Sequence, residues 1–189
     1  MRGFTMRKQE SHFFWIDLEM TGLDEKTDHI IEVAAIITDT NFAEKDQFHA
    51  VVYQPQSILD QMNSWCVDTH TKSGLVDAIP NGQKLEDVDR NLIDFCHPYF
   101  PKDNIILCGN SVHQDRKFID AYMKEFAKRL HYRIIDISAF KEIFTTKYDK
   151  RFKKQEAHRA VDDIKESIAE LEYYLSFFNL EEKESAAKA

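Results

Sequence analysis

Three β-branched and aromatic runs crowd the first third of the chain and are joined by short connections. His12 to Leu18 (HFFWIDL), His29 to Thr38 (HIIEVAAIIT) and Gln47 to Gln54 (QFHAVVYQ) read as strands. Connections this brief suit antiparallel neighbours, and Asp39, Thr40 and Asn41 supply turn chemistry between the second and third. From Ser57 onward the period changes. Ser57 to Val67 predicts a helix, with Ser57 as cap and Asp60 three positions on. Lys84 to Phe95 carries Leu85, Val88, Leu92 and Phe95 at helical spacing, and Pro98 and Pro101 end it. His113 to Leu130 aligns Phe118, Tyr122 and Phe126, Ser138 to Lys147 predicts a further helix, and a last one from about Ala160 to Phe178 carries Val161, Ile164, Ile168, Leu171 and Leu175 on one stripe. Two strands, Asn104 to Cys108 and Tyr132 to Ile137, interleave with these helices. Strands first, then alternating helices and strands, predict an α/β fold: a mixed sheet with helices on its faces.

Length and balance narrow the class. With 189 residues, 43% of them hydrophobic and 31% charged, one globular domain is expected over 12–180. Residues 1–11 read as a flexible N-terminal extension and 181–189 as a charged tail. The longest apolar run, Ile30 to Ile37, is broken by Glu32 and falls far short of a membrane span, so no membrane is expected. Cys66, Cys96 and Cys108 lack CxxC spacing, which argues against a disulfide framework and a structural zinc site. The polar start has no signal-peptide core, and a reducing, cytoplasmic setting is expected. A net charge of −8 disfavours holding long nucleic acids on a broad basic surface. It leaves room for a short nucleic acid gripped at a metal centre.

Carboxylates carry the chemistry. Asp17 and Glu19 flank Leu18 at the end of the first strand, so both acids point to one face. Two such acids repel unless a cation lies between them, and Mg²⁺ takes carboxylates together with substrate phosphate and water. Asp115 follows a strand and a Gly109-Asn110-Ser111 segment, near a helix start at the carboxyl end of the sheet, where open α/β sheets place ligands. His158 precedes Asp162 and Asp163 at the entrance to the last helix, where a histidine can take a proton from water. On a continuous helix His158 and Asp162 share a face, but the apolar stripe leaves both aspartates on the polar side and does not choose between them.

Together, Asp17-x-Glu19, Asp115 and His158-x4-Asp163 resemble the DEDDh pattern of 3′→5′ exonucleases of the ribonuclease H-like fold. WIDLEMTGLD (Trp15 to Asp24), NSWCVDTHTKSGL (Asn63 to Leu75), CGNSVHQDRKF (Cys108 to Phe118), HYRIIDIS (His131 to Ser138) and KQEAHRAVDDIKESIAELEYY (Lys154 to Tyr174) narrow the resemblance to the oligoribonuclease family, over residues 12–178. The resemblance implies a five-stranded mixed sheet, a homodimer, and removal of nucleotides from the 3′ end of very short RNAs, down to dinucleotides, with two Mg²⁺ or Mn²⁺ ions. It implies Asp163 rather than Asp162 as the fourth acid, beside Asp17, Glu19 and Asp115. It further implies a base wedge at Leu18, a tyrosine stacking from the partner subunit at Tyr132, and a terminal 5′-phosphate held by Ser111, Arg133 and Ser138. Trp65, His70 and Gln114 would line the pocket. Glu156 departs from the family, which usually has a small residue there, beside the catalytic histidine.

The chemistry expected on that basis is two-metal hydrolysis. Asp17, Asp115 and Asp163 hold one ion that activates water, with His158 accepting the proton. Asp17 and Glu19 hold the second, which stabilises the leaving 3′ oxygen. Three alternatives differ in observable ways. A broader DEDDh exonuclease on DNA or tRNA ends must hold longer strands, and no run of five basic residues serves that. A non-catalytic nucleotide-binding module would not need four acids and a histidine. A phosphatase on the same scaffold would release phosphate from mononucleotides.

Overall fold

The computed structural model describes residues 12–102, 104–153 and 159–178. His158, Glu156, the expected extension at 1–11 and the expected tail at 181–189 lie outside the described residues. Five strands, β1 (His12–Met20), β2 (Ile30–Asp39), β3 (Glu44–Val51), β4 (Ile105–Gly109) and β5 (Leu130–Asp136), form one sheet in the order β3-β2-β1-β4-β5. β1–β2 and β2–β3 pair antiparallel, whereas β1–β4 and β4–β5 pair parallel. The mixed α/β sheet expected from the pattern is the one observed.

Helices cover both faces. Phe14, Ile16 and Leu18 of β1 pack with Val88, Leu92 and Cys96 of α4 (Leu85–Cys96), Phe118 and Ile119 of α5 (His113–Tyr122) and Phe126 of α6 (Lys124–Ala127). On the other face Trp15 packs with Ile137 of α7 (Ile137–Tyr148) and with Ala160, Ile164 and Leu171 of α8 (Ala160–Leu175). The Trp15 indole N–H donates to Thr38 Oγ1 at 3.1 Å, which satisfies the polar end of a fully buried ring. A smaller cluster of Ile31, Leu59, Leu75 and Ile79 seats α1 (Gln56–Leu59) and α3 (Leu75–Ala78) beside β2, and α2 (Ser64–Lys72) packs against α3.

Two expected helices are broken. The segment expected as Ser57 to Val67 is α1 and α2, with Pro55 rather than Ser57 at the first N-cap. Asn63 starts α2 by accepting the Cys66 N–H at 2.9 Å, a capping bond that favours a fresh helix over a continued one. The segment expected as His113 to Leu130 ends at Met123, restarts as α6, and gives Leu130 to β5. Asp89 of α4 accepts the Glu125 and Phe126 N–H groups at 3.1 and 2.9 Å, so a carboxylate distant in sequence satisfies the donors that the break exposes.

Candidate active site

Side chains alternate across a strand, so Asp17 and Glu19 share the Trp15 face of β1 while Leu18 turns into the opposite core. α8 packs across β1 and β2 on that face and brings Asp163 in its first turn. One carboxylate oxygen from each of Asp17, Glu19 and Asp163 lies within 4.8 Å of the other two. Asp162 is exposed and lines a separate cleft of about 290 Å³ with Glu32, Gln47, His49, Arg159 and Val161. The fold therefore separates two aspartates that the spacing left equivalent.

Asp115, in the first turn of α5, is buried and stands beside this trio rather than within it. Its Oδ1 accepts the Leu18 N–H at 2.9 Å, which ties the helix start to the strand between the two acids. Burial pushes the Asp115 carboxyl up to about 7, against the pull of the Leu18 N–H. Glu19 is pushed up to about 8, first by burial and then by the charges of Asp163, Glu32 and Asp115, with Arg159 pulling the other way. Clustered hard oxygens, one of them holding a proton near neutral pH, suit exchange of that proton for a divalent cation. The donor set fits such an ion.

The remaining expected residues surround this point at different depths. His70 of α2 is buried, with Nε2 3.1 Å from the Met20 carbonyl and Nδ1 3.9 Å from Glu19 Oε2. Trp65 on the same helix is exposed. Leu18 is 5% exposed, which leaves only a narrow edge of its side chain at the surface. Ser111 takes a left-handed backbone (φ 49°), held by its N–H donating to Asp136 Oδ1 at 3.0 Å and Ser138 Oγ at 2.8 Å. The Ser111 and Ser138 hydroxyl oxygens are 3.1 Å apart, so β4–α5 and the start of α7 present two hydroxyls together. Gln114, one turn along, is half-buried and accepts from Lys117 at 2.9 Å. Tyr132 on β5 is 76% exposed, and the Arg133 Nε–H donates to its hydroxyl at 2.9 Å.

Several residues around the site escaped the sequence reading. Glu32 showed itself only as the charge that interrupts an apolar strand, and that was its available signal. His49, Arg159 and Asp136 gave none, because their meaning comes from partners far along the chain. Asp136 accepts from both Ser111 and Ser138 backbone N–H groups, each at 3.0 Å. Glu32 collects His49, Arg159 and the Ala160 N–H at the start of α8.

Comparisons with known proteins agree with this geometry. Residues 14–171 match the family model RNase_T, an exonuclease family. The chain is 44% identical to the mitochondrial oligoribonuclease of Homo sapiens over 168 residues, covering 85% of this chain and 70% of that protein. It is 40% identical to the oligoribonuclease of Actinobacillus succinogenes over 178 residues, covering 92% of this chain and 98% of that one. Among solved structures, the zinc-bound exonuclease I–ssDNA complex of E. coli superposes with a TM-score of 0.68 at 15% identity, over 89% of this chain and 41% of the larger enzyme, which shows a shared fold. No helix among the described residues is long and apolar enough to cross a membrane. By these relatives, and with a carboxylate cluster on a five-stranded mixed sheet of the ribonuclease H-like kind, the chain belongs to the oligoribonuclease family and is a 3′→5′ exonuclease.

Proposed function

We propose that this chain hydrolyses very short RNAs from the 3′ end, down to dinucleotides, and releases mononucleoside 5′-phosphates. The observation that carries the reading is the trio of carboxylate oxygens from Asp17, Glu19 and Asp163 within 4.8 Å of one another. Asp17, Glu19, Asp115 and Asp163 would hold two Mg²⁺ or Mn²⁺ ions. When bound, such ions polarise the attacking water and neutralise charge on the leaving 3′ oxygen. His158 takes the proton of that water. The Leu18 N–H holds the Asp115 carboxylate in place.

Substrate residues follow from exposure and chemistry. Tyr132 offers an exposed aromatic ring, flanked by His131 and Arg133, for a base to stack on, and Leu18 the narrow edge that its burial leaves. Arg133, Ser111 and Ser138 hold the terminal 5′-phosphate, a charged donor and two hydroxyls suited to a phosphate monoester. Trp65, His70 and Gln114 line the pocket. The reading favours short over long strands because a net charge of −8 gives little hold on an extended phosphate backbone.

The assembly we propose is a homodimer. Tyr132 projects from β5, an edge strand of the sheet, where a second copy can use it. The exonuclease domain is taken as 12–180, flanked by an extension at 1–11 and a tail at 181–189. The proposed compartment is the cytoplasm, supported by three free, buried cysteines that suit a reducing setting.

Digestion of 5′-labelled RNAs from two to about twenty nucleotides, with and without Mn²⁺, tests the reading. Cation-dependent turnover should be fastest on the dinucleotide. Faster cutting of the longest RNA, or of the DNA counterpart, would favour the broader exonuclease instead.

A further inference from the structure

Glu32 is fully buried in a strand whose neighbours Ile30, Ile31, Val33, Ala34 and Ala35 are all apolar and buried. A carboxylate in that position is strongly unfavourable unless it is bonded. Three donors meet it. His49 Nε2 lies 2.7 Å from Oε1, Arg159 Nη2 donates to the same oxygen at 2.8 Å, and the Ala160 N–H donates to Oε2 at 3.3 Å. Arg159 Nη1 also donates to the Ser73 carbonyl at 3.2 Å. One carboxylate and one guanidinium thus join β2, β3, the end of α2 and the start of α8.

The position of that knot matters more than its strength. Arg159 is the N-cap of α8 and makes no side-chain cap bond, so Glu32 does the capping from another element. The Asp163 N–H donates to the Arg159 carbonyl at 3.0 Å, so the first helical turn runs from the pinned residue to the clustered acid. A helix turns about 100° per residue, so only a rotation of an unpinned α8 by about that angle would bring Asp162 toward Asp17 and Glu19 in place of Asp163. The Arg159 side chain keeps 36% of its surface exposed, and an ion pair with one solvated partner adds little to stability, so stability alone does not account for this one.

We propose that Glu32 and Arg159 are positioning residues that set the rotational phase of α8 and thereby deliver Asp163 to the cation site. The proposal rests on the reading of Asp163 as a cation ligand. Neither residue belongs to the trio of clustered carboxylates.

The test compares wild type, Arg159→Met, Arg159→Lys, Glu32→Gln and Asp163→Ala, by calorimetric titration with Mn²⁺ and by kcat and KM on a dinucleotide. Arg159→Met should weaken Mn²⁺ binding by about 10–100-fold, the usual effect of losing a group that orients a ligand. kcat should fall at low Mn²⁺ and recover as Mn²⁺ is raised, with KM nearly unchanged. Arg159→Lys keeps the charge but loses the forked contact, and should fall between the two. A folded Arg159→Met with wild-type Mn²⁺ affinity overturns the proposal. Should that variant and Glu32→Gln not fold, wild-type affinity in Arg159→Lys overturns it. Asp163→Ala separates the two claims: Mn²⁺ binding unchanged there removes Asp163 as a ligand, whereas loss there without loss in the Arg159 variants removes only the positioning role.

Discussion

Glu19 and Glu32 stand directly opposite each other across the β1–β2 ladder. Like charges so placed destabilise a sheet, and here the two carboxyls take opposite protonation states. Burial would raise Glu32, but His49, Arg159 and the Ala160 N–H outweigh it and hold the group below the usual carboxylate range. Glu19, facing Asp163, Glu32 and Asp115 in a buried setting, is pushed up to about 8. The carboxyl held low lies outside the trio of Asp17, Glu19 and Asp163, and the one pushed up lies within it.

Glu19 should make the cation-free protein less stable as pH rises. Its carboxyl titrates at the ordinary value of 4.5 when unfolded and at about 8 when folded, so between those values the folded chain holds the extra proton. Stability from this group is therefore intact below about 4.5 and declines up to about 8. In EDTA, the wild-type Tm should fall relative to Glu19→Gln between about pH 5 and pH 8. The Tm gain from added Mn²⁺ should grow over the same window. A wild-type Tm that rises against Glu19→Gln there would contradict the assignment.

Asp163 and Asp162 should behave as opposites. Asp163→Ala is expected to lower kcat by at least about a hundredfold, equivalent to about 2.7 kcal/mol of lost transition-state stabilisation. Asp162→Ala, at an exposed position in the first turn of α8, should keep kcat within about twofold and lower stability by about 0.3–1 kcal/mol through the helix dipole. Single-turnover rates with urea denaturation of each variant check both statements.

Arg133 should be read through the substrate's terminal phosphate. Arg133→Ala should raise KM for a 5′-phosphorylated dinucleotide by roughly 10–100-fold, the range of a charged hydrogen bond. The same dinucleotide with a 5′-hydroxyl should respond little. Equal losses on both substrates would place Arg133 elsewhere in the mechanism.

Tyr132 offers a mixing experiment. Tyr132→Ala and Asp17→Ala should each be inactive on dinucleotides, with the Tyr132 variant folding normally because its ring is exposed. Co-refolding the two should restore activity if the tyrosine serves the neighbouring subunit, since one of the two sites in a mixed dimer then keeps both residues. No recovery in a mixture proven to contain mixed dimers would put Tyr132 in its own subunit's site.

The strands and the acids of β1 were legible because period-two alternation shows directly which residues share a face. Helix ends were less legible. α6 exists as a separate turn because Asp89, on another helix, accepts its first N–H groups, and no local signal announces such a partner. The choice between Asp162 and Asp163 shows the same limit. It depends on the phase of α8, which is tied to Glu32 across 127 positions of sequence. Asp17 and Glu19 could be read two residues apart, but the Asp115 bond to Leu18 spans 97 positions and appears only once the sheet is assembled.

β1 places Phe14, Ile16 and Leu18 on one side and Trp15, Asp17 and Glu19 on the other. A slip of one residue would drive both acids into hydrocarbon and strip the larger core of three anchors. Misthreading therefore produces no sturdy but silent impostor of this enzyme: whatever passes as correctly folded already has Asp17 and Glu19 turned toward Asp163.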